Sequence, residues 1–405
     1  MILAGYEHEW PTLSNRTGRL RVAPERGSCD ADERSGGARR LKSIAIGSVE
    51  TTASESGVVM GKGKGLGITI LILGVVLAVA GLGVKYVVLP SQAKFPADVD
   101  ATRNYEGELA VMMNAAALDT GDLANLFLKD VPVTIARTVK TLEVGGDDGA
   151  VVSDHGVMSS PAGVLADSLD IYAINRTTMD AIADFSDDAR ILPRKGLVVG
   201  WPIGSEPVDY VGWNGDTQQT TILAYVGEEE RGGINTYVYH AAEEPAIIVD
   251  PALLAQFPPA FPKALLLQLA PALGLPDEMM AQLGPVLEAM PDSIPLTYTY
   301  AYDKTYWVEP NTGVLIDIDS MESRAVALAV PGAPAPVALA EVQHLEYVTT
   351  PASVQDAVND ANDGISQLNM FGVYIPAILI LLGAIGIIGG IYYVTRKPEE
   401  EEAAA

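Results

Sequence analysis

The chain has 405 residues, 48% of them hydrophobic, and sets 26 Lys plus Arg against 52 Asp plus Glu for a formal net charge of −26. So acidic a chain does not bind nucleic acid by neutralising phosphates, nor adhere to an anionic lipid surface. Its one cysteine, Cys29, excludes a disulfide framework; everything after it must fold by burying apolar surface, at a length that suits one large domain or two small ones.

Residues 1–59 hold seven of the chain's 15 arginines and a scatter of Gly, Ser and Asp without period. Two readings stand: a disordered cytoplasmic tail, or an upstream extension with the working start at Met60. The second is preferred, because MGKGKG leads directly into an apolar run. Asn15-Arg-Thr is a glycosylation sequon by pattern only, on the wrong side of a membrane for use.

From Leu66 to Val84, 19 residues carry no charge. At about 1.5 Å per residue they cross most of a hydrocarbon core about 30 Å thick. The run exceeds the roughly 7–15 apolar residues of a signal peptide. Residues 66–89 are therefore read as an uncleaved transmembrane helix. The small-x-small triplet Ser91-Gln92-Ala93 keeps a cleaved signal as the alternative. Gly65, Gly67, Gly74, Gly81 and Gly83 argue against a soluble core helix, being poor helix formers in water but common in membrane spans.

Residues 91–370 carry 13 Lys plus Arg and 40 Asp plus Glu, a net charge of −27. That suits a solvated surface in salty water or a cation-attracting face. Strand patterns dominate, at Tyr105–Met112, Val131–Val144, Ser168–Arg176, Thr220–Val226, Ile234–His240, Leu296–Trp307, Val314–Asp319 and Leu345–Thr349. Alternation puts Tyr298, Tyr300 and Tyr302 on one face, with Thr297, Thr299, Ala301 and Asp303 on the other. This predicts an antiparallel sheet with one packed face. Glu228–Gly233 reads as a hairpin turn, and Glu309-Pro-Asn-Thr-Gly313 as a second. Pro251–Pro295 interrupts the strands with Leu, Ala, Pro and Met. Short helices broken by Pro258, Pro262, Pro271 and Pro285 are expected there, as a layer over the sheet. The sharper alternatives are a lid over an apolar cavity and a segment touching the outer leaflet.

Within Ser353–Gln367, Asp356, Asp360 and Asp363 share a helical face. Such a row is more often a wet face than a cation site, and NDANDG lacks the EF-hand's closing Glu, so no metal is assigned. This helix should run on into a second span. Phe371 to Val394 is 24 residues without charge, with Pro376 predicting a kink and Gly383, Gly386, Gly389 and Gly390 offering a close-packing face for the other span or for a partner. Lys62 and Lys64 before the first span, with Arg396 and Lys397 after the second, place both termini in the cytoplasm and residues 91–370 outside. Tyr86 and Tyr374 would mark the outer interface, Tyr392 and Tyr393 the inner one. Residues 395–405 form an acidic cytoplasmic tail.

Chemistry is sparse. His155, His240 and His344 lie far apart and in no metal-binding frame, and no nucleophile elbow exists. Gly200–Ser205 is not a phosphate loop. Asp317 and Asp319 alternate on a strand as paired carboxylates do, but such a pair is expected by chance in so acidic a chain. Asn175-Arg-Thr lies on the outward side and is open to glycosylation. No catalytic, cofactor-binding or metal-binding residue is assigned, and no ligand-binding residue is named.

Three stretches, GLVVGWPIGSEPVDYVGWN (196–214), YWVEPNTGVLIDI (306–318) and VNDANDGISQLNMFGVYIPAILILLGAIGIIGG (358–390), resemble the two-pass membrane family named for the actinobacterial porin PorA. The W-V-x-P-x-T-G turn and the D-G-I-S-Q-L helix entering the last span are the most specific parts. The resemblance covers roughly Met60 to Val394. It implies an N-terminal span, a β-rich outward domain and a C-terminal span, and it carries no catalytic residues to transfer. The acidic excess, the Arg-rich leader and the insert 251–295 depart from it.

The expected fold is thus an α+β membrane protein: transmembrane helices 66–89 and 371–394 flank a mainly antiparallel extracytoplasmic domain, 91–370, with a helical insert at 251–295. The expected function is a non-enzymatic, membrane-anchored cell-surface protein whose outward domain binds a ligand or serves envelope structure. Its partners are the lipid bilayer and a lipid or another envelope protein. One alternative is a carrier of lipid or another apolar ligand with a cavity under the insert. The other is an oligomeric channel, since a membrane barrel wants more alternating strands of about 10 residues than were recognised.

Overall fold

The computed structural model describes residues 62–396, apart from 147, 184, 186–189, 192, 270–276, 331–332 and 334. The leader 1–59 and the tail from 397 onward lie outside the described residues, as does Pro271.

Helix α1 (Lys62–Gly83) passes through a π-helical turn at Val84–Val88 into α2 (Leu89–Gln92). Strand β1 (Asp100–Met113) follows, then α3 (Ala115–Thr120), β2 (Phe127–Gly145), β3 (Gly149–Ser160) and β4 (Gly163–Asn175). After a long connection come β5 (Tyr210–Asn214), β6 (Gln219–Arg231) and β7 (Ile234–Ile247). The insert contributes α4 (Pro251–Leu254), β8 (Ala260–Pro262), α5 (Lys263–Leu269), α6 (Asp277–Ala289) and β9 (Ser293–Pro295). The chain then forms β10 (Thr297–Val308), β11 (Leu315–Leu328), β12 (Val337–Thr349), α7 (Pro351–Asn369) and α8 (Ile375–Thr395), with a second π-helical turn at Met370–Tyr374.

Ten strands make one antiparallel sheet in the order β4-β3-β2-β1-β12-β11-β10-β7-β6-β5, while β8 and β9 pair separately. The sheet curls into a half-barrel whose edges nearly meet. Ile174 on β4 bridges to Ala181, Asp180 to Leu197, and Leu197 to Gly212 on β5. Hydrogen bonds from Ile182 N to Ala173 O (2.7 Å) and from Leu197 N to Val211 O (2.8 Å) close this end of the ring. The closed end is also where α2 leads into β1 and β12 leads into α7. The insert leaves after β7 and returns before β10, so it sits at the other end, about 40 Å away along a 12-residue strand. It packs at the far mouth of the half-barrel, through Phe261, Leu266 and Leu269, and not at the end nearest the helices.

All the expected strands but β10 are longer than their sequence signals, and four more strands appear, β3 and β5 in the large sheet and the short pair β8 and β9 in the insert. The hairpin read as Glu228–Gly233 is tighter: Arg231 pairs with Ile234, and Gly232 and Gly233 adopt φ +61° and +84°. A two-residue turn with both central residues at positive φ matches strand twist and demands glycine. Pro285 lies inside α6 rather than breaking it.

The two long apolar helices pair along a glycine seam. Gly67, Gly74 and Gly81 are buried on α1, and Pro376, Gly383 and Gly390 on α8. A Cβ on Gly74 would lie 2.6 Å from Ile387 N and 2.7 Å from Gly383 O; one on Gly390 would lie 2.6 Å from Leu71 N. The seven-residue spacing keeps the seam on one side of each helix with a left-handed drift. Of the two uses expected for the small residues, packing on the other long helix is the one observed. The remaining faces, including Leu73, Val76, Ile385 and Ile388, are exposed. Helices α7 and α8 form one 45-residue helix, opened by Thr350, whose hydroxyl accepts from Ser353 N at 3.3 Å, and by Pro351.

Candidate functional site

Two features of the near end and the interior carry the functional argument. The first is a joint. In the turn after β10, the Glu309 carboxylate accepts from Asn311 N (3.1 Å), Asn311 Nδ2 (2.6 Å), Thr312 N (2.8 Å) and Thr312 Oγ1 (2.6 Å). Gly313 then takes φ +70°, and any Cβ there would meet Trp201 O and lie 2.6 Å from Pro202 O. Gly204 N donates to Asn311 O at 3.1 Å. On the other side, Thr312 Cγ2 would be 2.8 Å from a Cβ on Gly364 of α7. Below it, Ala357, Val358 and Ala361 pack on Ile316, with Val354 against Gly232. Residues 196–214, 306–318 and 358–390 therefore meet at one place, where the sheet is fastened to the helix that continues into α8. The ion pair of Arg103 with Asp360 adds a bond across the same contact.

The second feature is a charged layer inside the half-barrel. Along β10, Tyr298, Tyr300, Tyr302, Lys304, Tyr306 and Val308 alternate inward. The register sets Glu322 opposite Tyr302 and Arg324 opposite Tyr300. Lys304 Nζ bonds Glu322 Oε1 at 2.7 Å, Tyr347 Oη donates to the same oxygen at 3.1 Å, and Arg324 pairs with Asp216 at 2.6 Å. The opposite wall carries Arg137 on Asp154 (2.6 Å) and Arg194 on Asp170 (2.8 Å). Arg194 also lies 4.3 Å over Tyr172, and Arg324 lies 4.8 Å over Tyr300. Burial works against the charge of Glu322, but Lys304 and Arg324 outweigh it and hold the carboxyl at about 2. Burial likewise opposes the Lys304 ammonium, and Glu322 reverses the effect and raises it. For Asp216 and Asp170 burial is the stronger influence and pushes the carboxyls up despite Arg324 and Arg194.

Above and below this layer the interior is apolar. At the near end Trp201 stacks on Tyr239 (5.6 Å) and meets Tyr306 (5.1 Å). At the far end Phe261, Leu266 and Leu269 of the insert press against Leu126, Val326 and Val342, leaving a gap of about 10 Å³. That is room for about one water. Among the described residues this gap falls short of the few hundred Å³ typical of a ligand cavity.

The residues singled out from sequence are dispersed. His155 pairs with Asp167 (2.8 Å), His240 with Asp303 (3.0 Å), and His344 with Glu341 and Glu346 (3.2 Å each); no two histidines share a carboxylate. Asp317 is buried on Arg231 (2.7 Å) while Asp319 is exposed, so they do not act as a pair. Asp356, Asp360 and Asp363 are all exposed. Asn175 Oδ1 accepts from Thr177 N (2.8 Å) and Thr178 N (3.0 Å) in the turn after β4. Among the described residues no group of three metal-ligating side chains converges. The charged layer was missed; its one cue was Lys304, in phase with the tyrosines.

These observations define a class: a β-rich half-barrel riding on two glycine-paired apolar helices, each a candidate membrane span by length and composition. The family follows from a match over most of the chain. The chain belongs to the Porin PorA family, whose model matches residues 66–392. No curated protein matches it.

Proposed function

We propose that this is a non-enzymatic, two-span envelope protein that holds its β domain outside the cell as a binding or structural body. The observation that carries the reading is the helix pair. Among the described residues its two helices pack along the glycine seam, and large apolar side chains such as Leu73, Val76, Ile385 and Ile388 are exposed, which suits lipid and not water. Basic residues at the start of α1 and the end of α8 support cytoplasmic termini. The three-way joint supports a domain fixed rigidly to α7 and standing on the membrane. Alkaline carbonate washing of cell membranes tests the anchor: the protein should stay in the pellet, and release into the wash would overturn it.

The porin alternative is less well supported by the strands. The face of the sheet that turns outward carries Glu106, Glu108, Asp303 and Glu346, all exposed, where a membrane barrel needs an apolar band. A pore would have to be built by helices from several copies. The carrier alternative would need the insert to leave the far mouth.

A further inference from the structure

The two long helices change their winding at the same level. Helix α1 ends in the π-helical turn Val84–Val88, and α8 is preceded by the π-helical turn Met370–Tyr374. Aligned on these turns, the sequences read Val84-Lys-Tyr-Val-Val-Leu-Pro90 and Met370-Phe-Gly-Val-Tyr-Ile-Pro376. In each, the residue before the proline donates back five positions, Leu89 N to Val84 O and Ile375 N to Met370 O. Proline carries no N–H. Lys85 O and Phe371 O are therefore left without a backbone donor: the N–H of the α-helical partner is used one carbonyl earlier, and the next residue is proline. Water at the membrane edge satisfies such groups. The turns lie at that edge, between the apolar spans and the β domain, and Tyr86 and Tyr374 in them are exposed.

Packing is thin at the same level. No residue of either turn or of α2 is buried. To one side lies the glycine seam, which ends at Gly81 against Pro376. To the other, α7 buries Ala357, Val358 and Ala361 on Ile316, and its Ser353 hydroxyl accepts from Asn104 N at 2.8 Å. The β domain is held again from Lys94 onward: Lys94 pairs with Asp148, Phe95 N donates to Arg176 O (2.7 Å), and Arg176 Nε returns a bond to Phe95 O (2.6 Å). Among the described residues no hydrogen bond or ion pair runs from 66–92 or 370–395 to a strand. Two stiff bodies thus meet at two turns that little holds. Local motion concentrates where few apolar contacts must be lost, and π-helical turns are established sites of helix bending. We infer that the paired turns Val84–Val88 and Met370–Tyr374 form a hinge on which the β domain, with α7 attached, swings as one body relative to the two spans. The far mouth lies about 40 Å beyond the near end, so a swing of about 20° carries the insert by roughly 14 Å or more.

The hinge rests on the reading of both long helices as membrane spans. Its test uses the full chain with Cys29→Ser in phosphatidylcholine nanodiscs, read by double electron–electron resonance. One spin-label pair, Val76→Cys with Leu142→Cys, crosses the turns; the other, Leu142→Cys with Asp303→Cys, stays within the sheet, and all three positions are exposed. The crossing pair should give a distance distribution about twofold broader than the internal pair. Pro90→Leu combined with Pro376→Leu restores both N–H groups and should narrow it. Equal widths for the two pairs in the parent would overturn the hinge whether or not the double variant folds, and so would a crossing width that a folded double variant leaves unchanged. Release by carbonate would overturn the span reading and the hinge with it, whereas equal widths in a chain that stays in the bilayer overturn the hinge alone.

Discussion

Replacing Glu322 by Gln keeps the side chain's shape and leaves Lys304 without its carboxylate and Arg324 with one neighbour fewer. The carboxyl is held at about 2, against an ordinary value of 4.5. At about 1.4 kcal/mol per pKa unit, the folded protein favours its charged form by roughly 3 kcal/mol. Removing one partner of a buried pair typically costs about 3–5 kcal/mol, and the 11% and 16% exposure of the two side chains calls for little further discount. E322Q should therefore lose roughly 3 kcal/mol in urea denaturation followed by tryptophan fluorescence. Lys304→Met combined with Glu322→Leu should recover at least half of that, since no unpaired charge is left and Arg324 keeps Asp216. The pH dependence follows in sign. Glu322 has a depressed folded-state value, so its stabilisation is complete above about 4.5 and disappears as the pH falls through about 2. Asp216 and Asp170 have raised values, so their cost to the fold is relieved on acidification. Acid unfolding should be delayed to below about pH 4 and should lose its steep limb in E322Q. A single variant within about 0.5 kcal/mol of the parent, or a double variant as unstable as the sum of its parts, would refute the reasoning.

Three further outcomes are expected. Gly313→Ala places a methyl against Trp201 O at a residue with φ +70°, and should cost about 1–3 kcal/mol and expose the 196–214 segment to limited proteolysis. Gly74→Val should push the helix seam apart, and a disulfide engineered between α1 and α8 should form more slowly in that background, whereas Gly65→Val, with open space around it, should leave the crosslink unchanged. For His344, burial opposes the charge but hydrogen bonds to Glu341 and Glu346 outweigh it and raise its value above 6.5. Its stabilisation is present below about 6.5 and lost as the pH rises through the raised value, so His344→Gln should flatten the unfolding midpoint between pH 6 and 8.

Much of the fold was legible because single physical signals dominate it. The uncharged runs at 66–84 and 371–394 need no context, and the tyrosine alternation in β10 identified its inward face. Strand β3 escaped because Gly149, Asp154 and Gly156 weaken its strand signal. Strand β5 escaped because it is short and contains Gly212, which lies under Leu223. Pro285 misled because it lies inside α6, where a proline ordinarily ends or kinks a helix. The charged layer was illegible for a different reason: Asp216 lies 108 residues from its partner Arg324, and in so acidic a sequence Asp216 and Glu322 look like surface. Only the closed register of β10 and β11 shows that Lys304, Glu322 and Arg324 point inward. The three resembling stretches, by contrast, signalled their importance without their meaning, which is that they touch.

The account stands on the sheet domain lying outside the cell while both chain ends lie within. Replacing Cys29 by Ser and introducing either Asp303→Cys on the exposed sheet surface or Ala404→Cys at the terminus allows this to be read with a membrane-impermeant maleimide. Asp303→Cys should be labelled on intact cells and Ala404→Cys only after lysis. Labelling of Ala404→Cys on intact cells, with Asp303→Cys protected until lysis, would contradict it.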